Sequence, residues 1–445
     1  MSVNESASPP TNELRVNPEP TRLTSLDAYR GFIMLAMASG GLGFASVARK
    51  VSEVQSASGL WSGLAYQFDH VKWTGCGFWD LIQPSFMFMV GVALPYSYAS
   101  RIAKGESAAT IIVHAIRRSI VLILLGVFLS SNWSKHTEFT FVNVLTQIGL
   151  GYTFLYAVLG RGWKVQLGAV VAILGLYWLA FVMYPLPPED FDWHAAGVPD
   201  DLELLRGFGA HWNMNANFAA RVDRWFLNLF PRPEEFLFNK GGYPTLNFVP
   251  SLATMIFGVM AGELLRGNRE PITKRNLLFA TGAACLVFGL AVDHTIWPER
   301  LMDVVDSVTW RIVGPTDVID PTWTLCPIVK RIWTPTWAIF STGWTLWMLA
   351  AFYWIIDIEG YRRWSFPLVV VGTNSIAAYC IAQLLKPWVR NTLKTHLSQG
   401  IFEGKYFGLR LFDSAFAPIA ESVTFLIVLW GICWWMYRRK IFLRI

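Results

Sequence analysis

Charge is scarce in this chain. Only 15% of its 445 residues are Asp, Glu, Lys or Arg, against about a quarter in soluble globular proteins, and that deficit excludes an ordinary soluble domain. Cysteine is scarce as well. Of Cys76, Cys285, Cys326, Cys380 and Cys433, three sit inside apolar stretches and none stands in a CxxC or Cys/His ligand spacing, so neither a disulfide scaffold nor a metal site is expected. Spacing leaves open only whether Cys76 and Cys326, both in loops, pair. The first stretch, 1–24, is polar and Pro-rich without the apolar core of a secretory signal, and reads as a disordered cytoplasmic tail. No repeat of fixed period occurs.

Apolar residues are plentiful instead. They make up 53% of the sequence, with 22 Trp and 31 Phe, as expected where amphipathic rings mark a bilayer interface. Runs of about 20 apolar residues, the length needed to span a bilayer as helix, fall at Tyr29–Ala48, Trp79–Ser100, Ile116–Trp133, Phe141–Gly160, Val165–Tyr184, Leu246–Arg266, Asn276–Ile296, Thr336–Ile356, Phe366–Lys386 and Phe416–Tyr437. The expected fold is all-α: a polytopic integral membrane protein with about ten transmembrane helices, one membrane domain over 25–445 and a long outer loop at 185–245.

The net charge of +6 forms no single basic patch, which argues against a nucleic-acid partner. Arg101, Lys104, Arg117, Arg118, Arg161, Lys164, Arg266, Arg269, Lys274, Arg275, Arg362, Arg363 and Arg438–Lys440 recur in alternate short loops. The positive-inside pattern puts those loops, and both termini, in the cytoplasm. The longer connections, with His70, then face outward.

Ionisable residues at the edge of an apolar span are candidates for chemistry. His70 precedes the second span and Asp80 opens it, with Trp73, Gly75 and Gly77 between them and Pro84 after. Imidazole serves as base or nucleophile near neutral pH. At the mouth of the first span, Asp27 and Arg30 lie in SLDAYRG; Asp27 suits a helix cap and Arg30 a snorkelling cation, or its guanidinium meets a phosphate. Asn374, Ser375, Tyr379, Gln383 and Lys386 form a polar stripe at helical spacing, as do Asn143 and Gln147, in the manner of interhelical hydrogen bonding. Glu421 is an acid inside the last span. Trp193, Trp212, Trp225 and Tyr243 in the long loop suit either loop packing or a sugar platform.

Four stretches are together similar to the heparan-alpha-glucosaminide N-acetyltransferase family and its bacterial relatives: Ser25–Gly31 (SLDAYRG), His70–Gly91 (HVKWTGCGFWDLIQPSFMFMVG), Asn247–Gly262 (NFVPSLATMIFGVMAG) and Pro327–Gly343 (PIVKRIWTPTWAIFSTG), the last running on to Gly372–Ser375. The chain departs from the family pattern at Gly40-Gly41 and at Val329, where asparagines are usual.

The resemblance implies acetyl transfer from cytoplasmic acetyl-CoA to an amino sugar or other glycan acceptor across the membrane, in a bacterial inner membrane, with room for a homodimer. It implies His70 and Asp80 as catalytic residues, and Asp27 and Arg30, with Arg117 and Arg118, as contacts for coenzyme A. Trp73, Lys330 and Asn374 are its expected acceptor contacts. A glycan or lipid transporter and an inactive scaffold of the same fold are the rival readings.

Overall fold

A computed structural model describes residues 23–54, 59–293, 324–393, 395–396 and 415–443. Residues 1–22 of the tail expected at 1–24 lie outside them, as does much of the connections after Val292 and Leu393. Thr24, assigned to that tail, already opens a helix. Among the described residues there is helix and loop but no strand. The order is α1 (Thr24–Ser39), α2 (Phe44–Val54), α3 (Gly59–Phe68), α4 (Ile82–Ala103), α5 (Ala108–Ser131), α6 (Val144–Tyr152) and α7 (Trp163–Val182). Then come α8 (Phe218–Leu227), α9 (Phe248–Arg266), α10 (Pro271–Val292), α11 (Pro335–Phe352), α12 (Phe366–Gly372), α13 (Ser375–Leu393) and α14 (Ala417–Arg438).

Among the described residues seven helices are long and apolar enough to cross a membrane, and nine spans result if two bent pairs each count as one. The expected ten are not reached among those residues. The fourth, Phe141–Gly160, supplies a nine-residue α6 followed by a 3-10 turn at Thr153–Ala157. At 1.5 and 2.0 Å per residue these reach about 23 Å, short of a hydrocarbon core near 30 Å. Asn143 caps α6 by accepting from Thr146 N at 3.0 Å, and its amide ties the cap to Gly126 O and Ser130. Gln147 donates to Phe141 O and Thr245 O. The amides therefore satisfy the backbone where the helix begins, at Val144 rather than at Phe141.

Lipid-facing helices gain little from burying apolar groups against one another, so close approach has to come from small residues. The α4–α9 seam uses Gly91, where a Cβ would fall 1.9 Å from Met255 O, and Gly258, where it would fall 2.1 Å from Phe88 O. α1 and α12 meet the same way through Gly31 and Gly372. Between these seams lies a core of Met34, Met87, Ile148, Met255, Trp337 and Val371. Glu421, the acid inside α14, is ion-paired with Arg390 on α13.

Successive long helices run in opposite directions, so the bundle has two ends. α4 starts beside Asp80 and finishes beside Arg101; α9 runs alongside and finishes at Arg266, whose guanidinium donates to Pro95 O at 3.0 Å. One end thus carries the basic loops and the other carries His70. At the His70 end the 185–245 loop folds over the helices as a packed layer. Its Trp212 is fully buried and stacks on Phe181 of α7 at 4.7 Å, so this ring is core rather than a sugar platform. Cys76 and Cys326 are free thiols.

Candidate active site

Asp80 sits on a 3-10 turn, Phe78–Leu81, that leads into α4. The turn aims its carboxylate back over the loop before it. Oδ2 accepts from Gly77 N at 3.1 Å and Val71 N at 3.3 Å. Oδ1 meets His70 Nδ1 at 2.7 Å. The carboxylate is 1% exposed and the imidazole 39%. A carboxylate already accepting two backbone N–H groups is the acceptor in the third contact, so His70 Nδ1 carries the proton and Nε2 presents its lone pair. Among the described residues no group bonds Nε2.

A third group completes the cluster. Lys330 Nζ lies 3.3 Å from Asp80 Oδ1 and 3.0 Å from His70 Nδ1, with its side chain 5% exposed; because Nδ1 donates to Asp80, the ammonium converges on the same carboxylate oxygen as a neighbouring charge and does not donate to Nδ1. Lys330 belongs to the connection into α11, a segment fastened on several sides. Gly75 N donates to Ile328 O at 2.9 Å, Asn247 Nδ2 to Arg331 O at 2.7 Å, and Arg331 to Gly241 O at 2.8 Å. Thr334 caps α11 by accepting from Trp337 N, with Pro335 at the first helical position. Between them Trp333 takes a left-handed φ of 46°, a costly conformation for a bulky residue. Burial lowers the proton affinity of Lys330 from the ordinary lysine value, while Asp80 pulls the other way. Burial likewise pushes the Cys76 thiol up, so it stays protonated beside the cluster.

Sequence reasoning places Lys330 among acceptor contacts; the structure seats it against the Asp–His pair. Trp73 is 3% exposed and its indole N–H donates to Trp212 O at 3.1 Å. It packs the outer layer, and no face is left for an acceptor. Asn374 lies at the break between α12 and α13, where its side chain donates to Ile441 O at 2.9 Å and accepts from Leu443 N at 3.1 Å. It fastens the segment after α14 and is not part of the His70 cluster.

The other end of the bundle is hollow. A cavity of about 250 Å³ lies among α1, α4, α5, α6 and α13, reaching from Arg30, Ser97 and Arg118 to Phe86 and Val144. Two neighbours of about 380 and 370 Å³ share Ser97 and Arg118 with it and add Arg101, Lys104, His114 and Arg117. Arg118 lies over the Tyr152 ring at 4.7 Å and donates to its hydroxyl at 3.3 Å. Asp27, 5% exposed, is paired with Arg30 at 3.4 Å; it orients that guanidinium rather than presenting itself to an anion. Arg30, Arg117 and Arg118, far apart in sequence or neighbours on one helix, are thus gathered around adjoining cavities. Tyr152 and Ser97 were missed, because neither carries a charge or a motif. The first cavity stops at Phe86, six residues and roughly 9 Å along α4 from Asp80.

Two curated proteins match the chain. The human heparan-alpha-glucosaminide N-acetyltransferase is 22% identical over 438 residues, covering 87% of this chain and 58% of that protein. The mouse protein of the same name is 22% identical over 431 residues, covering 85% and 57%. The chain is distantly similar to heparan-alpha-glucosaminide N-acetyltransferase. It spans somewhat over half the length of these relatives, and no protein-family model matches it. Among the described residues no group of three or more His, Cys, Asp or Glu could hold a metal ion.

Proposed function

We propose that this protein is a membrane-embedded acetyltransferase. It takes the acetyl group of acetyl-CoA from the basic end of the bundle and passes it to the amino group of a glucosamine-type sugar, or another glycan acceptor, at the His70 end. The observation that carries the reading is the His70–Asp80 contact of 2.7 Å at the opposite end from cavities lined by Arg30, Arg101, Arg117 and Arg118. The N-acetyltransferase activity for which the human and mouse relatives are named supports it. The basic end faces the cytoplasm on the positive-inside rule, where a polyanionic donor that does not cross a bilayer is available.

The donor suits the space. Guanidinium forks bind phosphate oxygens, and the apolar walls of Met34, Met89, Leu122 and Ile148 suit the pantetheine arm. Phe86 stands at the inner limit of that cavity, so the arm passes this ring to bring the thioester to the cluster.

At the cluster, His70 Nε2 acts in one of two ways. As a general base it accepts the proton of the acceptor nitrogen while that nitrogen bonds the acetyl carbon, the C–S bond breaks, and the proton goes on to the departing thiolate. As a nucleophile it bonds the acetyl carbon itself and releases the thiolate. The acceptor nitrogen then displaces the imidazole, and its proton reaches the thiolate. In both, Asp80 holds Nδ1–H and stabilises the positive charge that develops on the ring, as the third member of a triad does.

Purified protein in liposomes, given acetyl-CoA and glucosamine-containing oligosaccharides, is expected to form the N-acetylated sugar. The His70→Ala variant should fall by about 10³-fold or more while still binding coenzyme A. Undiminished turnover in that variant would remove His70 from the mechanism.

A further inference from the structure

Lys330 is an expensive residue to place where it stands. Its side chain is 5% exposed, and withdrawing an ammonium from water costs several kcal/mol. Asp80 does not require it as a donor. Its Oδ2 already accepts from Gly77 N and Val71 N, and its Oδ1 from His70. The segment that carries Lys330 is held by Ile328, Arg331 and Thr334 backbone and side-chain bonds, so the fold of that loop does not depend on the ammonium either. What the ammonium does touch, at 3.0 Å, is the imidazole nitrogen that faces away from the reaction.

We propose that Lys330 is a positioning residue whose positive charge disfavours the imidazolium form of His70, while Asp80 holds the proton of the neutral ring at Nδ1 and leaves Nε2 open. The inference rests on His70 being the reacting group. An isolated Asp–His pair favours imidazolium, because the carboxylate stabilises it. Here the buried Asp80 and Lys330 already cancel, so with the partly exposed ring neutral the cluster has net charge zero, and an imidazolium gives +1. The same arrangement permits a positive ring briefly, while charge is developing at the acetyl group, without storing it at rest.

The other ionisable groups around the ring do not reverse this balance. Tyr66, Tyr243 and Cys76 are pushed toward their neutral forms by burial. Arg331, donating to Gly241 O and Val71 O, adds positive charge. Asp69 accepts the backbone N–H of His70 at 2.8 Å and also faces Arg49 at 3.6 Å, so its charge is shared with a cation in open solvent.

The test uses full-length protein in detergent and reads His70 directly. Diethylpyrocarbonate acylates neutral imidazole, and mass spectrometry of the His70 peptide gives its extent at each pH. In Lys330→Met and in Lys330→Gln, which keeps a hydrogen-bond donor, the midpoint of His70 modification should move up by about one pH unit or more. Lys330→Arg should keep the original midpoint. The acid limb of acetyl transfer should move by the same amount. A midpoint identical in all four proteins overturns the proposal. Absence of acetyl transfer in the unmodified protein, with the midpoint still shifting, would sink the acyltransferase reading and leave the role of Lys330 standing. Modification of the exposed His136 serves as the control for folding, since its partner Glu138 is untouched.

Discussion

The two ends of the bundle solve opposite electrostatic problems. At the His70 end, one acid, one cation and one imidazole sit within 2.7 to 3.3 Å of each other, nearly every lone pair has a partner, and the charges cancel. At the other end, Arg30, Arg101, Lys104, Arg117 and Arg118 surround adjoining hollows and the charge is left in excess. A closed, neutral cluster is what a proton-transfer site needs, since its geometry must not change with the ligand. An open, positive one is what a polyphosphate needs, since the anion supplies the missing charge. The difference between the ends therefore predicts which kinetic constant each will control.

Breaking the neutral end should cost the most. Asp80→Asn keeps the shape and both backbone contacts but turns an acceptor of Nδ1–H into a group that also donates. The ring is then released from its tautomer, and kcat is expected to fall roughly 10³-fold with KM for acetyl-CoA within about twofold. Steady-state kinetics on both substrates checks this. A rise in KM with kcat preserved would mean that the cluster binds donor rather than reacting with it.

The basic end should respond in the other constant. Arg118→Gln removes a guanidinium bordering all three hollows and is expected to raise KM for acetyl-CoA about tenfold, worth roughly 1.4 kcal/mol, with kcat nearly unchanged. Because the contact is with phosphate, added salt should narrow the gap between variant and parent. A loss confined to kcat would move Arg118 out of the donor path and blur the contrast between the ends.

Much of this contrast was legible in the sequence because charge is so rare there. Long apolar runs gave the helices, and His70 and Asp80 stood out at the rim of one of them. Other features depended on chain folding at long range. Lys330 is 260 residues from His70, and nothing local shows that the 327–334 connection turns it inward past Gly75 and Val71. Trp73 and Asn374 looked like polar contacts to a ligand, yet the fold spends their hydrogen bonds on Trp212 O, Ile441 O and Leu443 N. The fourth span misled for a related reason. Its composition is mostly apolar, but Asn143 caps the chain so that α6 starts only at Val144, and the helix gives way to a 3-10 turn after nine residues.

The measurement that bears most directly on the account is an experimental structure of the protein with acetyl-CoA bound in a lipid nanodisc. The phosphates should lie among Arg30, Arg117 and Arg118, with the arm running past Phe86 and the thioester carbon in contact with His70 Nε2. A donor bound with its thioester remote from His70, or held at the His70 end by its nucleotide, would contradict the division of labour between the two ends.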